Sequence, residues 1–284
     1  MAAAVATAIP RTSIGRRGTL LLLGVPVVFL VVFFAAPMVY MGRRSLENGG
    51  LAGYVEILSS PVHLQVLGNS FKTALLTTLS TVLLGYPLAY AIARVNGALR
   101  ILLLGLVLMP FWSSLLARTF SWLALLQDTG LINTVLNNMG LIDQPLPLVR
   151  TELGVTIAMV HIMLPYFVLP LFATMVKIDR TLLRAAESLG ANAFQRFYRV
   201  FLPLSMPGVG AGASLVFILS LGFYITPAVL GDPNQAMIGE VIATELQTIG
   251  FSRAGALGIV LLVATLVLLA VLGAARAAYQ RSNR

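Results

Sequence analysis

The chain has 284 residues, of which 58% are hydrophobic and 10% are charged. Several apolar runs approach the roughly 20 residues that a helix needs to cross a bilayer, so the composition excludes a soluble globular protein. The formal net charge of +9 does not indicate nucleic-acid binding, because the basic residues lie in short segments beside the apolar runs, where the positive-inside rule places them.

Six apolar segments predict an all-α membrane protein, a six-helix transmembrane bundle without a soluble domain. The predicted spans are 19–41, 68–93, 101–126, 152–176, 207–230 and 254–275. We expect residues 1–18 and 277–284 to form cytoplasmic tails on either side of a transmembrane domain over 19–276. The first apolar run is too long for the hydrophobic region of a secretory signal, so we expect it to be kept as a span.

The basic residues predict the orientation of the chain. With the N-terminus in the cytoplasm, thirteen of the nineteen lysines and arginines fall in cytoplasmic segments, so both termini are predicted to be cytoplasmic. The outer basic residues are Arg43, Arg44, Arg150 and Arg253, and the outer acidic residues are Glu47, Glu56, Asp128, Asp143, Glu152, Asp232, Glu240 and Glu245. This acidic excess favours a cationic solute or a basic docking patch on a partner, although acidic residues are also simply tolerated outside.

Ionisable residues within the spans are the first candidates for contact with a solute. Lys72 lies one turn inside the outer end of the second span, and its ammonium group is expected to extend to the membrane surface. Arg118 follows Trp112 in the third span, where it either reaches the interface in the same way or contacts a solute. His161 stands one turn before Pro165, which lacks a backbone N–H, so we expect His161 to bind local backbone groups.

A basic loop between the fourth and fifth spans predicts two short helices. Asp179 is placed to cap the first helix, and Gly190 stands where a C-terminal glycine is expected. Asn192 and Gln195 resemble a capping box that begins the second helix. The residues expected on one apolar face of the first helix are Leu182, Leu183, Ala186 and Leu189.

The second helix of the loop carries more aromatic residues than a linker needs. These residues are Phe194, Phe197, Tyr198 and Phe201. We expect Pro203 and Pro207 to bracket the end of the helix, because proline lacks a helical donor. Aromatic side chains left exposed form an apolar patch, so this helix either lies on the bilayer surface or is covered by a partner.

The fifth span combines a packing motif with a candidate gate. Gly208 and Gly212 form a pair of small residues four apart, which permits close approach of another helix. Further along, Phe223 and Tyr224 stand between two helix-weakening residues, a combination suited either to a gate that contacts a solute or to core packing.

The residues needed for catalysis or cofactor binding are largely missing. Two widely separated histidines and no cysteine leave no metal signature. Residues 68–73 end in Lys-Thr, but Phe71 replaces the second glycine of a phosphate-binding loop, so the chain should not bind ATP itself. We expect no catalytic residue, no cofactor and no metal, and therefore a protein that is not an enzyme.

The basic loop resembles the EAA loop of the inner-membrane permease subunits of binding-protein-dependent ABC importers. That pattern is Glu-Ala-Ala, three residues, Gly, nine residues, a branched aliphatic residue, any residue and Leu-Pro. The matching residues are Ala185, Ala186, Gly190, Val200, Leu202 and Pro203. Arg184 stands where the pattern has its glutamate, and Glu187 lies nearby on another face of the helix.

This resemblance implies that the loop, about 178–205, is a coupling helix that docks into a groove on a cytoplasmic ATPase. The residues implied in coupling are Ala185, Ala186, Glu187, Gly190, Phe194, Val200, Leu202 and Pro203. Two further stretches, Met109–Thr119 and Tyr224–Pro233, are similar to the first permease of spermidine/putrescine importers. Together they identify the chain as a permease subunit of a type I ABC importer in the inner membrane.

The family implies that the chain forms half of a translocation pathway. The implied partners are an ATPase dimer, a second permease subunit that is expected to be a different chain, an extracytoplasmic solute-binding protein and membrane lipid. A polyamine is the implied cargo, although permeases of this type also carry opines or phosphonates. An ion-coupled secondary carrier is the alternative from another class, but such carriers keep acidic relays deep in their spans, and these spans hold essentially none.

A polyamine cargo indicates which side chains line the pathway. The rings of Trp112, Phe223 and Tyr224 would offer cation–π contacts, and Asp128 and Glu245 would supply negative charge. Arg118 completes the set of predicted pathway residues.

Overall fold

The computed structural model describes residues 16–47, 50–248 and 250–282, and every regular element in these ranges is a helix. The α-helices are α1 (Arg16–Leu30), α2 (Ala36–Glu47), α3 (Leu51–Ser59), α4 (Pro61–Arg94), α5 (Gly97–Leu108), α6 (Leu115–Leu126), α7 (Leu131–Asn138), α8 (Glu152–Met175), α9 (Arg180–Ser188), α10 (Ala193–Arg196), α11 (Leu202–Leu221), α12 (Ile225–Leu230), α13 (Ile238–Thr248) and α14 (Phe251–Ser282). Two π-helical segments, Val31–Ala35 and Phe197–Phe201, and two 3₁₀ segments, Met109–Trp112 and Pro233–Gln235, complete the set.

The predicted tails fall largely at the edges of the described chain. Residues 1–15 and 283–284 lie outside the described residues, while residues 16–18 begin α1 and residues 277–282 continue α14.

Three helices, α4, α8 and α11, form the centre of the bundle. Phe167 of α8 is fully buried and fits there because Gly85 of α4 and Gly212 of α11 face its two sides. A Cβ built on Gly212 would lie 2.8 Å from Phe167 Cδ2, and one built on Gly208 would lie 2.7 Å from Thr174 Cβ. The predicted packing role of Gly208 and Gly212 is therefore confirmed, because only residues without a side chain allow α11 to approach α8 so closely.

Replacing Gly212 with alanine is expected to destabilise the folded permease by about 1–3 kcal/mol, the usual cost of forcing an extra methyl group into a filled core. The new Cβ would lie 2.9 Å from the backbone carbonyl oxygen of Phe167, which cannot rotate away. The melting temperature of the purified chain in detergent measures the effect. Gly105→Ala is the matched control, because a Cβ at Gly105 meets nothing within 4 Å. Equal melting temperatures for the two variants would contradict the prediction.

The ends of α4 and α8 establish how many times the chain crosses the membrane. In the first half of α4 and at the first residue of α8, Lys72 Nζ lies 2.6 Å from Glu152 Oε2. At their other ends, Arg94 and Met175 line one cavity together with Arg100 of α5. The two helices are therefore parallel, so residues 95–151 must cross once between them.

The predicted count of six spans agrees with the structure. Five helical stretches are each long and apolar enough to span a membrane, and the pair Gly97–Trp112 and Leu115–Asn138 passes the same test together across a 101° bend. The parallel arrangement of α4 and α8 makes this bent pair the sixth crossing.

The predicted third span over 101–126 is present but is not one continuous helix. The helix stops at Trp112, and Ser113 is extended (φ −101°, ψ 146°) before α6 begins. Pro110 lacks the N–H that would continue the helical ladder, and the hydroxyl of Ser113 donates to the carbonyl of Pro110 at 3.0 Å. Trp112 and Arg118 consequently lie on different helices rather than on one.

The predicted fifth span over 207–230 is also corrected. Its helix begins at Ala193 and stops at Leu221, and Gly222, Phe223 and Tyr224 separate it from α12. Pro203 and Pro207 therefore lie inside a continuous helix and do not end the second loop helix. A π turn precedes Pro203, with Leu202 N–H donating to the carbonyl of Phe197 five residues back, and this shift of hydrogen bonding accommodates the proline.

The outer helices expose apolar side chains to the surroundings. Val25, Phe33 and Phe34 are 74%, 68% and 68% exposed on the stretch formed by α1, the π segment and α2. Such exposure is ordinary where the solvent is lipid hydrocarbon rather than water. The end of α2 packs on the start of α14, where Gly255 approaches Met41, and α3 is tied to α2 by a 2.5 Å hydrogen bond between Ser45 Oγ and Tyr54 OH.

Candidate functional site

The first helix of the loop, α9, begins at the predicted cap. Asp179 accepts a hydrogen bond from the backbone N–H of Thr181 at 2.8 Å, and this bond lowers the pKa of the Asp179 carboxyl below its usual range. The predicted single apolar face is divided in the structure. Leu183 packs toward the bundle, whereas Leu182 points to solvent, because the helix lies against the bundle along only one edge.

The turn after α9 is a Schellman motif around Gly190. Gly190 N–H donates to the carbonyl of Glu187 at 2.9 Å, and Ala191 N–H donates to the carbonyl of Ala186 at 3.0 Å. Gly190 has a φ of +86°, in the left-handed region that favours glycine. The predicted helix stop is confirmed at this residue.

The second loop helix starts with the predicted capping box. The Asn192 side chain accepts from Gln195 N–H at 2.8 Å, and the Gln195 side chain accepts from Asn192 N–H at 3.0 Å. An ion pair of 2.6 Å between Glu187 Oε2 and Arg196 Nη1 joins the two helices across the turn. Glu187 therefore holds the helix-turn-helix together from within.

The aromatic residues of the second helix lie on two opposite faces. Toward the bundle, the Phe197 ring lies edge-on to Tyr90 with centroids 5.3 Å apart, and Phe201 lies 5.1 Å from the same tyrosine. Away from the bundle, Phe194 and Tyr198 stack on each other with an angle of 4° between their rings. They are 74% and 60% exposed, and Leu189 beside the turn is 89% exposed.

We call the three exposed residues Leu189, Phe194 and Tyr198 the docking patch. The remaining residues predicted in coupling lie around it. Ala185 and Pro203 are exposed, whereas Ala186, Val200 and Leu202 are partly buried against their neighbours. The inner face of the second helix is thus fastened to the bundle, and its outer face presents an apolar surface.

A cavity of about 590 Å³ lies between the loop, the last residues of α4 and α8 and the start of α5. Its charged lining consists of Arg94, Arg100, Arg180, Arg184, Arg196 and Glu187. Arg184, at the position where the EAA pattern has glutamate, lines this arginine cavity and is not part of the docking patch.

The two helix breaks are brought together at the opposite part of the bundle. Thr119 of α6 and Thr226 of α12 share a hydrogen bond of 3.0 Å between their hydroxyls. Phe223 packs against the core clusters on both sides of the break, and Tyr224 is 45% exposed. Of the predicted pathway residues, Arg118 directly precedes Thr119 on α6, and Phe223 and Tyr224 directly precede α12. Trp112 lies on the other side of the break at Ser113.

The guanidinium group of Arg118 forms no salt bridge with the described part of the chain. Its Nε and Nη1 atoms are buried and have no hydrogen-bond partner among the described residues. Nearby, Trp122 Nε1 donates to His161 Nδ1 at 3.1 Å. The expectation that His161 would bind local backbone groups is therefore wrong, because a side chain on α6 supplies its partner.

The two acidic pathway candidates lie apart from the helix breaks. Asp128 is exposed in the connection between α6 and α7. Glu245 of α13 lies 3.8 Å from Arg253 of α14, which also pairs with Glu56 at 3.3 Å. Half of the acidic residues predicted outside are engaged in ion pairs: Glu47, Glu56, Glu152 and Glu245.

Sequence reasoning missed the partners that hold the site in place. Glu152 is the partner of Lys72, which we expected to extend to the membrane surface. Tyr86 and Tyr90 form the platform for Phe197, and their spacing of four residues on a helix was the available signal.

Comparison with known proteins places this architecture in one family. Residues 81–284 match the family described as binding-protein-dependent transport system inner membrane component. The spermidine/putrescine transport system permease protein PotB of Haemophilus influenzae is 38% identical over 213 residues, which cover 74% of each chain. PotB of Escherichia coli is 37% identical over 199 residues, covering 70% of this chain and 72% of the relative.

Solved structures share the fold at lower sequence identity. A bacterial alginate ABC transporter in complex with an alginate pentasaccharide-bound periplasmic protein matches with a TM-score of 0.73 and 20% identity, over 91% of this chain and 93% of that chain. The predicted importer fold and the predicted family are confirmed by these matches. The chain belongs to the family of inner membrane components of binding-protein-dependent transport systems, and it is a multi-pass permease subunit of an ABC importer rather than an enzyme.

Proposed function

We propose that the helix-turn-helix over Arg180–Phe201 docks on a cytoplasmic ATPase and transmits its movement to the bundle. This proposal rests on the second helix of the loop, which has one face packed on the bundle and one exposed apolar face. Its docking patch is apolar and exposed, as expected of a surface that a partner covers. Its inner face is fastened to α4 through Tyr86 and Tyr90, so a force on the patch reaches a transmembrane helix directly.

The path of that force continues into α11. The helix that begins at Ala193 runs without interruption to Leu221, so movement of the loop passes along the fifth span to the break before α12. Closure of the ATPases would draw paired coupling loops together and turn the bundle from inward-facing to outward-facing. The breaks at Ser113 and Phe223 are places where the helices can change direction without losing internal hydrogen bonds.

The proposed cargo is a polyamine such as putrescine or spermidine. The relatives named for spermidine/putrescine transport support this assignment, because each matches about 70% or more of this chain. Trp112 is 78% exposed and Tyr224 is 45% exposed beside the joined breaks, so both rings are available for cation–π contact with an amine. Asp128 would supply negative charge, whereas the carboxylate of Glu245 already forms an ion pair with Arg253.

A second cargo class is favoured by Arg118. Its buried guanidinium nitrogens lack partners in the described chain, and a solute with a carboxylate or phosphonate would supply one. An opine or a phosphonate is therefore the alternative cargo for the same type of permease.

The remaining proposals concern assembly and orientation. The chain would form half of a pathway with a second permease, receive its solute from an extracytoplasmic binding protein and work with an ATPase dimer. Both termini would lie in the cytoplasm. The outward acidic residues that stay unpaired in the described ranges would favour approach of a cation or of a basic carrier surface.

Uptake of labelled putrescine and spermidine tests the cargo. Cells that lack this chain are compared with the same cells supplied with the intact sequence, with and without depletion of ATP. Restored, ATP-dependent uptake is expected, and unlabelled opine or aminoalkylphosphonate should not compete. Competition by those anions, with no polyamine uptake by a correctly inserted chain, would replace the polyamine with the alternative. Uptake insensitive to ATP depletion would instead favour an ion-coupled carrier.

A further inference from the structure

The arginine cavity has a charge that its own residues leave uncompensated. Five arginines and one glutamate form its charged lining. The glutamate, Glu187, already pairs with Arg196, and the Nε atom of Arg196 is buried without a hydrogen-bond partner among the described residues. Several arginines converging on one space are typical of a phosphate or carboxylate site, because the guanidinium group binds such groups in a planar, bidentate manner.

Two of the arginines are held in place by the bundle itself. Arg100 Nε donates to the carbonyl of Val95 at 2.7 Å, and Arg100 Nη2 donates to the Asn96 side chain at 2.7 Å. The Arg94 guanidinium lies over the ring of Tyr90, 4.7 Å from its centroid. Such ordering lowers the entropy lost when a ligand binds.

The cavity and the docking patch lie on different faces of the loop. On α9, Arg180, Arg184 and Glu187 follow the three-to-four residue spacing of one helix face and line the cavity. Leu182 and Leu189, seven residues apart, share another face that is exposed. An ATPase seated on the patch would therefore leave the cavity to another ligand.

The position of the cavity indicates which kind of anion would fit it. It lies where α4 and α8 end and α5 begins, at the boundary between the membrane and the side that carries the loop. Its walls also include apolar residues, among them Val176, which is 45% exposed. A ligand with a phosphate group joined to hydrocarbon matches this mixed lining, and anionic lipids attract basic residues at this level.

We propose that the arginine cavity binds the phosphate of an anionic phospholipid and that this lipid braces the loop against the bundle. It contacts Arg184 and Arg180 on the loop and Arg94 and Arg100 on the bundle, so one phosphate links the two parts. Arginine at position 184, in place of the glutamate of the EAA pattern, adds to this site. The lipid site follows from the cavity itself, and it rests on the proposed function only in placing the loop at the cytoplasmic face.

Lipid retained by the purified complex tests this site. The permease is purified with its ATPase and second permease and exchanged into detergent that contains equal concentrations of phosphatidylglycerol and phosphatidylcholine. Native mass spectrometry then identifies the lipid that stays bound to the complex. The wild-type complex is expected to keep phosphatidylglycerol. Arg184→Glu should lower that retention about tenfold or more, since it removes a charge-assisted contact and adds repulsion. Arg184→Gln should give a smaller loss in the same direction.

Matched controls separate this site from general charge and from coupling. Arg199→Glu changes the same charge in the loop at a residue that does not line the cavity, and it should leave retention unchanged. The ATPase should still co-purify with the Arg184→Glu permease, because the docking patch is intact. Failure of the ATPase to co-purify with the wild-type permease would contradict the coupling proposal but not the lipid site. Equal retention of both lipids, or equal retention by Arg184→Glu, would overturn the lipid site. Displacement of the lipid by millimolar inorganic phosphate would overturn it in favour of a soluble anion.

Discussion

Replacing Gly190 with glutamate is expected to reduce ATP-driven uptake to less than a tenth of the wild-type rate while leaving membrane insertion intact. Gly190 has a φ of +86°, and the left-handed conformation is about 1–2 kcal/mol higher in free energy for a residue with a side chain. A Cβ at this position meets nothing within 4 Å, so the effect comes from the backbone and not from a clash. The Schellman hydrogen bonds would weaken, and the angle between α9 and α10 would change. Uptake into cells, normalised to the amount of inserted permease, measures the result.

Asparagine at the same position separates backbone strain from the new charge. Asparagine tolerates the left-handed conformation better than other residues with side chains, so Gly190→Asn should keep uptake within about threefold of wild type. Glutamate also places a carboxylate beside Leu189 in the docking patch, which must lose its hydration when a partner covers it. Normal uptake by Gly190→Glu would exclude this turn from coupling.

The loop was largely predictable because its signals are local. The Asp179 cap, the Gly190 turn and the Asn192 capping box each depend on residues two to five positions apart, and each is found as expected. The division of the aromatic residues into two faces was not predictable, because it depends on Tyr86 and Tyr90, more than 100 residues earlier in the chain. Local sequence signals predict where a helix begins and ends, whereas contacts with the rest of the bundle determine which of its faces is buried.

The errors in the spans have a common physical origin. Apolar composition predicts that a segment lies in the membrane, but it does not show where the helical hydrogen bonds are interrupted. Pro110 comes before a break, whereas Pro203 lies within a continuous helix, in which a π turn precedes it. The partners of Lys72 and His161 were also missed, because pairing across 39 or 80 residues leaves no periodic trace in the sequence.

Replacing Phe197 with alanine is expected to uncouple ATP hydrolysis from uptake. The Phe197 ring lies edge-on to both Tyr86 and Tyr90, with centroid distances of 6.1 and 5.3 Å. A half-buried phenylalanine contributes less than the 3–5 kcal/mol of a fully buried one, so we expect a loss of about 2–3 kcal/mol in the attachment of the loop. The ATPase should still bind, because the docking patch is untouched, but its movement would no longer reach α4. Uptake should fall at least about thirtyfold, in line with that free energy.

Phe194 provides the matched comparison, since it is the same residue type on the same helix with the opposite exposure. Phe194→Ala removes an exposed ring that stacks on Tyr198, so the melting temperature of the permease should not change. ATPase recovered with the purified permease should decrease, because the apolar surface covered by the partner becomes smaller. The two variants thus predict opposite patterns: Phe197→Ala keeps the ATPase and loses stability, and Phe194→Ala loses the ATPase and keeps stability. If both variants lost the ATPase to the same extent, the helix would not have separate docking and anchoring faces, and force would have to enter the bundle through another contact.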